Sequence, residues 1–372
     1  MARTPTKLDN EITPEADRLG DYPHPRHTHR LHGHGKVEAD LAQAFSSGHM
    51  HHAWLLRGTE GIGKATLAYR LAKHVLAHPM ERDRLGGSLD VAGDTTAARQ
   101  VDALSHPGLL VIRRPWLHKD KRFAASIPID EVRRLRNFLS HSAEVDSWRV
   151  VIVDSADELA GPAANALLKS LEEPPVRLVF LLISSEPGRL LPTIRSRCRT
   201  ITLARLSDAD LRRATSDALA AADADPIDEA QWPKLGSLAD GSVRRALSLG
   251  GSDGLKLYGR LEALLGTLPT VDWTIAHALS DELSGVAAEL KYETFMDLLL
   301  DVLARAIRAA AIGTPDPRLK FAANLIPAGR LATFADVWDT TVRERAEVQT
   351  YNLDRKTLVL ETITRLAAAA RG

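Results

Sequence analysis

Cysteine is almost absent from this chain, since its 372 residues include only Cys198. One cysteine excludes an internal disulfide and a four-cysteine zinc site, and it suits a reducing compartment. Net charge is absent too: 48 basic side chains balance 48 acidic ones, which argues against a dedicated DNA binder but leaves local contacts open. No apolar run approaches the ~20 residues of a membrane span. We therefore expect a cytoplasmic protein with no zinc and no membrane contact.

A phosphate-binding loop is the most informative feature that is present. Residues 52–66 read HAWLLRGTEGIGKAT, where an apolar run leads into the Walker A spacing G-x-x-x-x-G-K. In such a loop, backbone N–H groups close on phosphates at a helix N-terminus, and the lysine meets the β- and γ-phosphates. We therefore expect Gly58, Gly61, Gly63 and Lys64 to line a nucleotide site.

The same loop lacks the hydroxyl that holds Mg²⁺ in this motif, because the residue after the lysine is Ala65. Thr66 does not replace it, since one residue further along a helix points about 100° away. The sequence predicts a degenerate site that carries out no hydrolysis and requires no cofactor. Whether a weak affinity for ATP or ADP remains is left open.

A second motif is altered in the same direction. Residues 148–158 read WRVVIVDSADE, an apolar run typical of a buried parallel strand, and Asp154 stands where a Walker B aspartate is expected. In ring-forming ATPases the next residue is commonly a glutamate that polarises the attacking water, but here it is Ser155. Asp157 would lie too far along to act for it if the chain stayed extended.

An arginine follows the next apolar strand. Residues 176–203 read VRLVFLLISSEPGRLLPTIRSRCRTITL, with Arg197 in the sequence Ser-Arg-Cys. An arginine is always charged, so it can stabilise the charge on a transferring γ-phosphoryl group, also from a neighbouring subunit. The alternative is that Arg197 caps a helix or pairs with an acid.

Together these motifs resemble the delta-prime subunit family of the bacterial DNA polymerase III clamp loader, a branch of the AAA+ proteins. The matching stretches are HHAWLLRGTEGIGKATLAYRLA (51–72), AANALLKSLEEPP (163–175), LPTIRSRCR (191–199), GSVRRALSL (241–249) and, more weakly, NLDRK (352–356). The resemblance covers most of residues 25–250, and LLKSLEEPP with SRC is a highly specific pair.

The resemblance implies a subunit of a five-member hetero-oligomer that opens a sliding clamp and places it on primed DNA. In that family the delta-prime subunit hydrolyses nothing and supplies its SRC arginine, here Arg197, to the ATP site of the adjacent motor subunit. Its further partners are the delta subunit and, through the complex, clamp and DNA. Arg244 falls at the sensor 2 position, and Ser184 or Ser185 falls near sensor 1.

The predicted fold class is α/β, with an AAA+ P-loop parallel-sheet domain, a small helical lid and a C-terminal all-helical collar. We expect a flexible N-terminal tail at 1–24, the nucleotide-fold domain at 25–205, the lid at 206–252 and the collar at 253–372. The collar is expected to pack against sister subunits.

Two segments remain without an assigned role. Histidines crowd residues 24–52, where a metal tract is one hypothesis. We prefer a loop that leads into a helix at 36–46, because no acidic or sulfur ligand is interleaved among the histidines of residues 24–34. Residues 80–128 occupy the place of the family's zinc module, but contain only His106 and His118 as soft ligands. We expect an irregular, metal-free insertion there.

Two other functions are weighed against the clamp-loader subunit. An active AAA+ ATPase such as a helicase loader would need Ser or Thr at position 65 and an acid at position 155. A P-loop kinase of small molecules would leave Arg197 without a role and the helical region from residue 255 unexplained. The chain itself is thus expected to have no ATPase activity and to act as a component of the polymerase III holoenzyme.

Overall fold

The chain divides into two compact units, residues 1–205 and residues 206–372. The computed structural model describes residues 14–82, 88–140, 147–251, 253–285, 288–322, 325–351 and 353–371. Across these ranges no helix combines the length and the apolar character that a membrane span requires.

The first unit alternates strands and helices along the chain. Its strands are β1 (Ala53–Arg57), β2 (Leu109–Ile112), β3 (Trp116–Leu117), β4 (Arg122–Phe123), β5 (Arg149–Val153), β6 (Leu178–Ser184) and β7 (Arg199–Thr202). Its helices are α1 (Gly35–Ser46), α2 (Lys64–Leu76), α3 (Thr96–Asp102), α4 (Ile129–Ser140), α5 (Gly161–Glu172) and α6 (Pro192–Arg195).

Five strands form one parallel sheet in the order β2-β5-β6-β1-β7. Strands β5 (RVVIV) and β6 (LVFLLIS) are apolar apart from one residue at an end. Such runs are typical of strands that lie inside a sheet with both faces covered. All the carboxyl ends meet at one edge, which is where open α/β sheets bind their ligands. The predicted parallel-sheet domain is confirmed.

The two faces of this sheet carry separate hydrophobic clusters. Along β1, Trp54 and Leu56 pack in the cluster with α1 and α2, whereas Ala53 and Leu55 pack in the cluster with α4, α5 and α6. This follows from the alternation of side chains along a strand. Helix α2, which the phosphate loop opens, and helix α6, which precedes Arg197, therefore lie on opposite faces.

The second unit is helical throughout its regular elements, as the sequence predicted. Its helices are α7 (Asp208–Ala221), α8 (Trp232–Ala239), α9 (Val243–Gly250), α10 (Gly254–Gly266), α11 (Trp273–Ser284), α12 (Glu289–Ile312), α13 (Leu331–Tyr351) and α14 (Arg355–Ala370). Ser207 caps α7 by accepting a hydrogen bond from the backbone N–H of Asp210 at 3.2 Å. One hydrophobic cluster runs from Leu206 to Ala369. A division of this unit into lid and collar stays a prediction.

Residues 80–128 contain more regular structure than the irregular insertion we expected. Helix α3 begins after Thr95, whose hydroxyl accepts a hydrogen bond from the N–H of Ala98 at 3.3 Å. Strands β3 and β4 form a hairpin in which the ring centroids of Trp116 and Phe123 are 4.9 Å apart. A threonine N-cap is the local signal that could have predicted α3.

The N-terminal segment also differs from expectation. Residues 1–13 of the predicted tail lie outside the described residues. Residues 14–24 lie against the first unit, where Glu15 and Asp17 pair with Arg113 at 2.5 Å and 2.7 Å. The sequence predicted a free tail because this segment shows no apolar periodicity. Ion pairs with distant residues leave no periodic pattern, so nothing in the sequence indicated them.

Candidate functional site

The phosphate loop joins β1 to α2 through three glycines with positive φ. Gly58, Gly61 and Gly63 have φ of 147°, 76° and 103°, values that residues with a Cβ rarely adopt. Gly63 precedes the first residue of α2, so the loop leads directly to a helix N-terminus. The three predicted glycines therefore lie in one loop at the carboxyl edge of the sheet.

We expect Gly58→Ala to destabilise the first unit by about 1–3 kcal/mol, because the new Cβ combines a positive φ with steric overlap. That Cβ would lie 2.6 Å from Ile62 Cδ1 and 2.7 Å from the carbonyl oxygen of Leu203. Gly188→Ala is the control, since its Cβ would meet open space, and should stay within about 0.5 kcal/mol of wild type. Urea unfolding compares them; equal losses would contradict the steric argument.

Lys64 is held by its own loop and by a serine of the next strand. Its ammonium group donates hydrogen bonds to the carbonyl oxygens of Gly58 and Thr59, both at 2.8 Å, and to Ser185 Oγ at 2.9 Å. These contacts use all three N–H donors of a lysine. Burial lowers the pKa of Lys64 to about 8. A phosphate would have to displace these partners to reach the ammonium group.

Of the two serines near the sensor 1 position, the structure brings Ser185 into this cluster. Ser184 is fully buried at the end of β6. Ser155 has a left-handed backbone, with φ 58° and ψ 57°, so the chain turns instead of staying extended. As a result Asp157 Oδ1 accepts a hydrogen bond from the N–H of Ser185 at 3.3 Å. Nothing in the sequence indicated this contact, because serine does not signal a left-handed turn.

Ala65 and Thr66 both lie in the first turn of α2. Ala65 is partly buried and packs against the hydrophobic cluster formed by α1 and α2. The absence of a side-chain oxygen at this position is fixed by the sequence, and the predicted loss of hydrolysis remains a prediction.

Asp154 follows β5 directly and is 6% exposed. Burial raises the pKa of its carboxyl group well above the ordinary value, and the neighbouring Asp17 carboxylate raises it further. Arg113, which follows β2 at the position beside Asp154, binds Asp17 at 2.7 Å and so brings the two acids close together. The predicted Walker B aspartate thus lies near an acid from the N-terminal segment, which nothing in the local sequence indicated.

Arg197 lies between two residues whose side chains pack in the hydrophobic core. Ile194 is fully buried and Cys198 packs against the same cluster, on the face opposite α2. The guanidinium group of Arg197 donates to the carbonyl oxygen of Thr193 at 2.9 Å and lies 2.7 Å from Glu172 Oε1. Both side chains of this ion pair are more than one-third exposed, so the pair contributes at most about 1 kcal/mol. Both parts of the alternative, a cap on the end of α6 and a pairing with an acid, are therefore present, and the pairing is weak.

Cys198 offers a test of this packing, because it is the chain's one cysteine. Burial raises the pKa of its thiol to about 11. At pH 8 a free thiol with pKa near 8.5 would be roughly 200-fold more ionised, so we expect alkylation of the native protein to be slower by about that factor. The rate should rise up to about pH 11. Alkylation of the protein unfolded in about 8 M urea is the control. Equal rates in the native and the unfolded protein would contradict the burial of Cys198.

Arg244 lies in the second unit, on α9. Its carbonyl oxygen accepts a hydrogen bond from Ser248 Oγ at 3.0 Å. Its assignment to a sensor 2 role stays a prediction.

The histidines of residues 24–52 contact other protein groups at several points. His34 Nε2 donates to the carbonyl oxygen of Ile62 at 2.8 Å, next to the phosphate loop. His51 Nδ1 lies 2.8 Å from the carbonyl oxygen of Ala53. In the part of the chain that the structure describes, no group of three or more His, Cys, Asp or Glu side chains could hold a metal ion.

Comparison with known proteins places these features in one family. Residues 33–207 match the model of the family described as DNA polymerase III, delta subunit. The DNA polymerase III subunit delta' of Escherichia coli is 30% identical over 337 residues, which cover 88% of this chain and 92% of that protein. The corresponding protein of Pseudomonas aeruginosa is 40% identical over 147 residues, or 40% of this chain and 41% of the relative.

Other relatives are longer or more distant. The DNA polymerase III subunit tau of Salmonella typhimurium is 27% identical over 81% of this chain, and the chain spans only 48% of its length. A crystal structure of a DNA polymerase III gamma subunit-related protein from Thermotoga maritima aligns with 90% of this chain at a TM-score of 0.44 and 19% identity. With the Escherichia coli relative matched over nearly its whole length, this chain belongs to the family of DNA polymerase III delta-prime subunits.

Proposed function

We propose that this chain is a subunit of a DNA polymerase III clamp loader, which hydrolyses no ATP itself and lends Arg197 to the ATP site of a partner subunit. The identity of its relatives supports membership of this complex, since they are delta', gamma and tau subunits of DNA polymerase III. The proposed setting is a cytoplasmic hetero-oligomer that places a sliding clamp on primed DNA.

The observation that carries this proposal is the placement of Arg197. It is anchored on the face of the sheet opposite α2 and contacts Glu172, while Lys64 closes on its own loop. An arginine so placed is available to another molecule at little energetic cost, because an exposed ion pair is weak. Arginine fingers act in this way, since they reach across an interface into the nucleotide site of a neighbouring subunit.

The altered phosphate loop supports the second half of the proposal. Ala65 has no oxygen to hold a magnesium ion, and Ser155 offers no carboxylate to polarise a water molecule. Lys64 already has a partner for each of its N–H donors. This combination favours a silent subunit over the active motor and over the small-molecule kinase.

Reconstitution tests the proposal directly. The chain is purified alone and also combined with the gamma or tau and delta subunits of its own organism. We expect no ATP turnover by the chain alone, and we expect loss of DNA- and clamp-stimulated turnover when it is left out. Turnover by the isolated chain would support the motor or kinase instead. Failure to bind the other subunits would contradict the assignment to this complex.

A further inference from the structure

The carboxyl edge of the sheet near the phosphate loop is covered by residues 14–27, which we call the N-terminal strap. The strap binds Arg113, which follows β2, and the register of the sheet places Arg113 beside Asp154, which follows β5. Ligands of open parallel sheets bind at this edge. The strap therefore covers a part of this edge that lies next to the candidate nucleotide site.

Partly buried ion pairs hold the strap in place. Arg113 donates to Asp17 Oδ1 at 2.7 Å and to Glu15 Oε1 at 2.5 Å, and Arg26 donates to the same Glu15 oxygen at 2.6 Å. His24 Nε2 lies 2.7 Å from Asp17 Oδ2. Burial would raise the pKa of Asp17, but the hydrogen bond from His24 and the charge of Arg113 hold it below its ordinary value.

The strap also lies along α2, the helix that the phosphate loop opens. Lys73 Nζ donates to the carbonyl oxygen of Arg26 at 2.7 Å, and Arg26 Nε donates to the carbonyl oxygen of Asp102 at 2.7 Å. The ring of His24 packs edge-on against Tyr69, with centroids 5.4 Å apart. These contacts join the position of the strap to the position of α2.

The inner end of the strap meets the candidate site at Asp154. Oδ2 of Asp154 is buried and receives no hydrogen bond from an N–H group or a hydroxyl in the part of the chain that the structure describes. Asp17 of the strap is held near this carboxyl group by Arg113, which follows β2 at the position beside Asp154. Lys64, the phosphate-contacting lysine of the motif, is close enough to Asp154 for their charges to interact. The charges of Asp17 and Lys64 both act on Asp154 at this edge of the sheet.

We propose that the strap and a nucleoside triphosphate compete for this edge of the sheet, so that each weakens the binding of the other. A triphosphate at the loop would draw Lys64 from its present partners toward the phosphates. It would also add negative charge beside the Asp17–Asp154 pair, where burial strengthens like-charge repulsion. Coupling of this kind is reciprocal, because the strap must lower nucleotide affinity by the factor by which nucleotide lowers strap occupancy.

The test uses the full chain without partners, and its probe is ATP with magnesium. Calorimetric titration compares wild type with Asp17→Asn, which removes the strap's charge beside Asp154. We expect Asp17→Asn to bind ATP roughly 5–150-fold more tightly, the usual range of coupling between sites. Asp21→Asn makes the same chemical change at an exposed position of the strap and should bind ATP as the wild type does. Equal affinities in all three proteins, or no binding by any of them, would overturn the proposal.

A second measurement needs no substitution. Arg18 lies within the strap, where its side chain donates to the carbonyl oxygen of Tyr22 at 2.8 Å, and trypsin can cleave there once the strap leaves the surface. We expect ATP to accelerate cleavage after Arg18 in the wild-type chain, and cleavage that is independent of ATP would overturn the proposal. Both measurements are made on the isolated chain, so their failure would leave the proposed role of Arg197 in the complex unaffected.

Discussion

Replacing Arg197 by alanine is expected to lower ATP turnover about 10³–10⁵-fold at the partner site to which we propose that this arginine is supplied. The expected loss is large because the guanidinium group would stabilise charge that develops only in the transition state. In an assembly with several ATP sites, total turnover would fall less. Single-turnover measurement on the reconstituted complex, with clamp and primed DNA present, isolates the affected site.

Two matched variants separate a finger from a structural arginine. Arg189→Ala removes another exposed arginine of the same unit and should leave turnover unchanged. Glu172→Gln removes the carboxylate that pairs with Arg197, and we expect it to change stability by less than about 1 kcal/mol and to retain turnover. If Arg197→Ala assembles normally and turns over ATP like the wild type, Arg197 is structural and the proposed finger is wrong.

The largest expected effect on stability belongs to Phe180→Ala, with a loss of about 3–5 kcal/mol. Phe180 is fully buried at the centre of β6, where it lies between Ala53 of β1 and Val151 of β5. Truncation removes a ring from the layer between the sheet and helices α4 and α5, and leaves a cavity there. Val176→Ala, at a side chain that is 92% exposed, should change stability by no more than about 0.5 kcal/mol.

Labelling of Cys198 in increasing urea reports on the first unit alone, because this single thiol lies there. The labelling midpoint should shift to clearly lower urea for Phe180→Ala and remain in place for Val176→Ala. A Phe180→Ala midpoint close to that of wild type would mean that the core repacks around the missing ring.

Short-range patterns in the sequence predicted the parts of the site that are local. The glycines of the phosphate loop, the start of α2 at Lys64 and the position of Asp154 after a buried strand all follow from residues adjacent in the chain. Backbone freedom at glycine and the burial of continuous apolar runs act at this range. The parallel-sheet fold was predictable for the same reason.

Contacts between distant residues could not be predicted from such short-range patterns. The ion pair of Asp17 with Arg113, and that of Arg197 with Glu172, join segments that only the folded sheet brings together. The contact between Asp157 and Ser185 depends on a left-handed turn at Ser155 that has no signature in the sequence.

The sequence by itself determined which chemical groups this protein has: a phosphate loop without a hydroxyl at Ala65, a strand-end acid at Asp154 and an arginine at Arg197. Tertiary structure alone decided how those groups are partnered. The sheet separates Arg197 from α2 because side chains alternate between its two faces. The charged N-terminal segment lies near Asp154 because Glu15 and Asp17 pair with Arg113, and the pairing of β2 with β5 places Arg113 beside Asp154.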